Sequence, residues 1–112
     1  MNPVDQQLVA YNNRDLAAFL ACYSDEIQVF MLESGQRLTD GKAQLTQSIK
    51  TSFESNPDAR TLLVTRINQG NLIIDLEKIT GYTEGKTITT IAIYEVHEDK
   101  ITKLWFGGRS VE

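Results

Sequence analysis

Thr61-Leu62-Leu63-Val64-Thr65-Arg66-Ile67-Asn68-Gln69-Gly70-Asn71-Leu72-Ile73-Ile74-Asp75-Leu76-Glu77-Lys78-Ile79-Thr80 reads as two strands joined by a turn. Aliphatic and β-branched residues dominate both halves, and Gly70-Asn71 is a two-residue hairpin connection. A loop of that length puts Gln69 opposite Leu72 and therefore Arg66 opposite Asp75. Parity then sorts the side chains. One face carries Leu63, Thr65, Ile67, Leu72, Ile74 and Leu76; the other carries Leu62, Val64, Arg66, Ile73, Asp75 and Glu77. The nearly all-apolar first face is expected to lie under helices. The second, branched aliphatics around an ion pair, is expected to point outward and to suit a subunit interface.

Two further strands follow, Thr87–His97 and Ile101–Phe106. Gly81 to Gly85 and Glu98-Asp99 separate them, so the four strands form an antiparallel meander, and Gly107-Gly108 is expected to end the order. Upstream the period is helical. Asn2-Pro3 caps and opens a first helix with Val4, Leu8 and Tyr11 on one face. Asp15 caps a second, whose stripe is Leu16, Phe19, Leu20 and Tyr23. Ile27 to Leu32 is a short apolar strand. Asp40-Gly41 begins a third helix with Leu45, Ile49 and Phe53 on its buried edge, and Asn56-Pro57 ends it. Helices first and strands last is the α+β pattern.

The chain has 112 residues, 41% of them hydrophobic and 23% charged, which predicts one folded domain over residues 1–112. A net charge of −4 with scattered Lys and Arg gives no electrostatic reason to bind nucleic acid or anionic lipid. No apolar stretch approaches the roughly 20 residues that span a bilayer. The N-terminus has no basic segment followed by an apolar run. Cys22 is the single cysteine, so no internal disulfide is expected, and cytoplasm is the expected location.

The order helix, helix, strand, helix, four strands resembles the nuclear transport factor two-like superfamily, in its SnoaL-like and ketosteroid isomerase-like branch. Ala10-Tyr11-Asn12-Asn13-Arg14-Asp15-Leu16-Ala17-Ala18-Phe19 resembles the first helical pair of that branch, and Tyr23-Ser24-Asp25-Glu26-Ile27-Gln28-Val29 the entry to its first strand. Gly41-Lys42-Ala43 is similar to the start of its third helix. Ala92-Ile93-Tyr94-Glu95-Val96 and Ile101-Thr102-Lys103-Leu104-Trp105-Phe106 are similar to its last two strands. The resemblance implies a cone-shaped α+β barrel, three N-terminal helices packed on a curved antiparallel sheet, with an apolar pocket between them. It implies a small apolar ligand and a homodimer through the outer sheet face, whose row would be Val64, Ile73, Ile91 and Ile93. It implies a pocket lined by Gln7, Tyr11, Met31, Ile49, Phe53, Ala92, Tyr94 and Phe106.

Ketosteroid isomerases use an aspartate base on the first strand, a tyrosine, and a carboxylic acid kept neutral by an apolar site. Aligned on the resemblance, these positions fall on Met31, Gln7 and Ala92, none of which can do that work. A shift of one or two residues brings in Glu33 and Tyr94, which become the candidate catalytic pair. Asp75 and Glu77 share a strand face about 7 Å apart. That spacing suits acid–base work, although Arg66 opposite Asp75 favours a structural ion pair. Tyr11, Tyr23 and Tyr94 are either core tyrosines tethered to backbone or ligand contacts. His97, at a hairpin end, is expected at the surface, and Cys22 as an inert core residue. One His and one Cys make no metal cluster, and nothing in the sequence calls for a cofactor. Trp105 lines the pocket or anchors an interface, depending on whether the Glu98-Asp99 turn has two or three loop residues. Two functions fit: a cofactor-free isomerase, cyclase or lyase acting on an apolar carbonyl compound, or a non-catalytic ligand-binding or dimeric interaction module.

Overall fold

The computed structural model describes residues 2–112. Its elements are α1 (Pro3–Asn12), α2 (Leu16–Leu20), β1 (Tyr23–Met31), β2 (Arg37–Asp40), α3 (Lys42–Ser55), β3 (Arg60–Gln69), β4 (Leu72–Thr80), β5 (Thr87–His97) and β6 (Lys100–Val111). The caps are those the sequence implies. The Asn2 side chain accepts from the Asp5 amide at 2.9 Å, with Pro3 in the first turn, and the Asp15 side chain accepts from the Ala18 amide at 3.1 Å. Arg14 makes the corner between α1 and α2 in the left-handed region at φ 56°. Its guanidinium donates to the carbonyls of Tyr11, Asn56 and Pro57, which ties that corner to the end of α3.

One sheet of six strands runs β2-β1-β6-β5-β4-β3, open at β2 and β3. The expected antiparallel meander of β3 to β6 is observed, β1 pairs antiparallel with β2, and β1 joins β6 in parallel. The helical stripe assigned to Tyr23 breaks earlier than expected: α2 closes at Leu20, Cys22 lies in the turn after it, and Tyr23 opens β1. Arg37–Asp40, too short and polar to register as a strand in the sequence, pairs with β1 as an edge. Gly107-Gly108 does not end the order. β6 runs on through both glycines to Val111, which pairs with Ile88.

The first hairpin has the expected register, Gln69 opposite Leu72 and Arg66 opposite Asp75. Its faces are the reverse of the expectation. Ile73, Asp75 and Glu77 point inward and are buried, whereas Leu72, Ile74 and Leu76 point out and are half-buried. A bulge at Val64 also moves Leu63 onto the inner face, opposite Glu77, while Thr65 pairs with Leu76 outside. Ile73 therefore belongs to the core and not to the outer row in which it was expected. The inner face tolerates the Asp75 charge because it is fully matched. Arg66 grips Asp75 with two hydrogen bonds of 2.7 and 2.9 Å and reaches Asp5 on α1 at 2.6 Å.

The outer face is more apolar than the sequence suggested. One row crosses five strands, Ile67, Ile74, Ile93, Trp105 and Phe30, each the register partner of the next. His97 pairs with Lys100 across a two-residue turn, with Glu98 and Asp99 at φ 51° and 63°. A bulge at Thr102 then sets Trp105 opposite Ile93, facing outward, where its ring stacks on Phe30 at 5.8 Å. No helix among the described residues is long and apolar enough to cross a membrane.

Candidate functional site

The three helices leave a cavity of about 400 Å³ against the inner sheet face. α1 contributes Gln7, Leu8 and Tyr11, and α3 contributes Leu45, Ser48, Ile49 and Ser52. The sheet supplies Val29, Glu77, Ile79, Tyr94, Leu104 and Phe106, and Tyr82 stands at the mouth. Of the residues the sequence nominated, Gln7, Tyr11, Ile49, Tyr94 and Phe106 stand in this wall.

The others do not. Met31 has the inward parity, but it is the last residue of β1 and is exposed beyond the rim. Phe53 is turned toward the first two helices, edge-on to Tyr11 at 5.6 Å and to Phe19 at 6.2 Å. Ala92 is fully buried beneath the wall, opposite Asp75. Glu33 is outside altogether. Its side chain is exposed and accepts from the Gly108 amide at 2.7 Å, a bond that lowers its pKa and ties the β1–β2 turn to β6. The pairing of Glu33 with Tyr94 as a catalytic pair is thereby corrected: the carboxylate that meets Tyr94 is Glu77.

The Tyr94 hydroxyl donates to Glu77 Oε2 at 3.1 Å. Tyr94 stands opposite Ile73 and Glu77 opposite Thr90, so the two side chains meet over the Asp75–Ala92 pair between them. A larger residue than Ala92 would fill that space. Gln7 completes the network from α1. Its Nε2 donates to the Val4 carbonyl at 3.1 Å and to the Tyr94 oxygen at 3.4 Å, and its Oε1 accepts from the Tyr23 hydroxyl at 3.0 Å. The Val4 bond fixes which end of the amide faces Tyr23. With Gln7 donating to it, Tyr94 has its own proton free for Glu77.

Glu77 has no bond at Oε1. Every fully buried side-chain nitrogen and oxygen among the described residues has a partner. The free oxygen is therefore not sealed in protein; it opens into the cavity that Glu77 lines. Burial in an apolar wall is the main reason its pKa rises to about 7, with the Asp75 charge adding to it and the Tyr94 bond opposing. Burial and the same carboxylate raise the Tyr94 and Tyr23 hydroxyls well above their ordinary range, so both stay protonated as donors. At the mouth, Tyr82 shares its hydroxyl with Tyr11 and with Ser52, each at 3.3 Å.

The remaining candidates are bland. His97 is exposed beside Asn71 at 3.1 Å, and Cys22 is buried with its thiol pKa raised by burial. No cluster of His, Cys, Asp or Glu among the described residues has the form of a metal site. The sequence did contain the pointer to Glu77, two residues from Asp75 on one strand face. It could not show which face was inside.

The fold recurs widely. A protein of cystatin fold from Novosphingobium aromaticivorans superposes with a TM-score of 0.84 at 18% identity, over 94% of each chain. A proposed polyketide cyclase from Sinorhizobium meliloti superposes at 0.81 with 14% identity, over 94% of this chain and 93% of that one. A proposed ketosteroid isomerase from Kribbella flavida superposes at 0.78 with 12% identity, over 93% of this chain and 73% of that one. At such identities the likeness is one of fold. No curated protein matches by sequence. The family model described as SnoaL-like domain matches residues 4–104, nearly the whole of the folded unit, and the chain belongs to the SnoaL-like domain family.

Proposed function

We propose that the protein binds a small, mostly apolar carbonyl compound in this cavity and moves a proton on it, with Glu77 giving or taking that proton. The observation that carries this reading is the placement of one carboxylate, held at Oε2 by Tyr94 and open at Oε1, in an otherwise uncharged wall. A carboxylate whose pKa lies near neutrality is matched to proton transfer at physiological pH. The reaction class is isomerisation, cyclisation or elimination next to a carbonyl, which needs neither a metal nor a redox cofactor. The neighbours described as a proposed ketosteroid isomerase and a proposed polyketide cyclase support that class. The buried free thiol Cys22 accords with the reducing cytoplasm.

The experiment is hydrogen exchange at carbon. Apolar ketones incubated with the protein in D₂O are followed by NMR for deuterium next to the carbonyl. Glu77→Gln, which keeps shape and removes the proton acceptor, is expected to lower the exchange rate by about 10²–10⁴-fold. Exchange that survives this substitution unchanged refutes the role of Glu77. Ketone binding by the native protein with no exchange refutes turnover and leaves a ligand-binding module.

The protein is further proposed to work as a homodimer through the outer sheet face. The row Ile67, Ile74, Ile93, Trp105 and Phe30 is aliphatic and aromatic across five strands, the composition of an interface core.

A further inference from the structure

Among the described residues Glu77 is the only charged side chain in the cavity wall, and no Lys, Arg or His lines it. The cations nearest the fold's interior are already engaged. Arg66 is held by Asp75 and Asp5, and Arg14 is held by three backbone carbonyls. Among the described residues no cation lines the cavity beside the open Oε1, and Arg66, whose charge acts on Glu77, is committed to Asp75 and Asp5. The rings of Phe19, Tyr23, Tyr82, Tyr94 and Phe106 line the same cavity, as does Tyr11, whose ring already carries the Arg14 guanidinium at 4.7 Å. Aromatic faces attract cations, and the attraction grows when water is excluded. A carboxylate with one oxygen unpaired and no cation beside it in an aromatic wall is complementary to a compact organic cation, and it repels an anion.

We propose that the cavity is a binding site for a monovalent organic ammonium ion, an apolar amine whose N–H donates to Glu77 Oε1 while its hydrocarbon part lies against the rings. The inference shares with the proposed function the opening of Glu77 into the cavity, but it does not depend on turnover. It adds a consequence. A bound ammonium occupies the oxygen that would accept a proton from a ketone, so amines compete with that chemistry.

The groups that face Glu77 bear on the pH dependence. They are Tyr94 from β5, Tyr23 from β1, and Asp75 from β4 with Arg66 from β3 behind it. α1 brings Gln7 and Tyr11, whose hydroxyl burial pushes up to about 12, and α3 brings Ser48 and Ser52, which do not titrate. Between pH 6 and pH 8 Glu77 is therefore the group in this set that changes charge. With its pKa at about 7, its ionised fraction climbs from about 0.1 to about 0.9 across that range.

The test uses three probes of one shape in titration calorimetry: cyclohexylmethylammonium, cyclohexylmethanol and cyclohexanecarboxylate. The ammonium is expected to bind most tightly and the carboxylate least. The ammonium affinity is expected to rise about tenfold from pH 6 to pH 8, with a proton released on binding below pH 7. Glu77→Gln is expected to abolish the preference for ammonium over alcohol. Equal affinities of ammonium and alcohol for the native protein overturn the inference, as does a preference that survives Glu77→Gln. If Glu77→Gln does not fold, the native protein decides alone: ammonium affinity that is flat from pH 6 to pH 8 overturns it. Ammonium binding without ketone exchange leaves this inference standing and sinks proton transfer; exchange without ammonium preference does the opposite.

Discussion

Tyr94→Phe removes the hydroxyl that donates to Glu77, together with the longer 3.4 Å bond it accepts from Gln7 Nε2. The ring stays, so its packing in the core stays, and Gln7 keeps its bond to the Val4 carbonyl at 3.1 Å. What goes is the hydroxyl that donates to Glu77 Oε2 at 3.1 Å. That bond favours the ionised carboxylate and opposes the desolvation that raises its pKa to about 7. A hydrogen bond to a charged group contributes about 1.5–3 kcal/mol, and one pKa unit corresponds to about 1.4 kcal/mol. Removing it therefore moves the Glu77 midpoint from about 7 to roughly 8–9. The assay is ¹³C NMR of protein labelled at the glutamate carboxyls, titrated from pH 4 to pH 10, with the Glu77 resonance assigned by its loss in Glu77→Gln. A midpoint that stays near 7, or falls, refutes the direction of the Tyr94–Glu77 bond and with it the network built on Gln7.

Three further outcomes follow from the same contacts. Glu77 has its folded pKa raised from 4.5 to about 7, so its contribution to stability is fully present below about pH 4.5 and is lost as pH rises through 7. Urea unfolding is expected to show Glu77→Gln gaining about 3 kcal/mol on the native protein between pH 4.5 and pH 8, and a constant difference contradicts this. Arg66→Ala leaves the fully buried Asp75 without its counter-ion and is expected to cost about 3–5 kcal/mol in the same assay; a loss below 1 kcal/mol contradicts the buried pair. Trp105→Lys puts a charge in the middle of the outer row, and sedimentation at tens of micromolar is expected to show a dimer for the native chain and a monomer for the variant. A native monomer refutes the interface.

Much of the fold is legible because it is written in local terms. Asn2-Pro3 and Asp15 cap helices through their own side chains, and Gly70-Asn71 fixes a register through loop length alone. What is not legible depends on contacts between distant positions. Arg37–Asp40 has no apolar run to mark it and becomes a strand only because β1 lies beside it. The bulges at Val64 and Thr102 each move one residue out of step, and no local pattern announces them. Tyr23 fits the apolar stripe of α2, yet it stands on β1, three strands across the sheet from the β4 strand that holds Glu77, with its hydroxyl bonded to Gln7.

The reversal of the hairpin faces has a specific cause. Counting aliphatics assigns Leu72, Ile74 and Leu76 to the interior, since burying them is favourable and burying Asp75 and Glu77 is costly. That cost falls when each polar atom has a partner, and the partners come from elsewhere in the chain. Asp5 and Gln7 arrive on α1, Tyr23 on β1, Tyr94 on β5. With them in place Asp75 is fully matched by Arg66, and Glu77 is matched at one oxygen of two. The aliphatic face is then free to lie outside, where a second copy of the chain covers it in the proposed dimer. An interior built only for stability would bury the aliphatic face and leave no oxygen unpaired. This interior leaves Glu77 Oε1 open to the cavity enclosed by α1, α3 and the sheet, and in the proposed function that unpaired oxygen is the group a ligand meets.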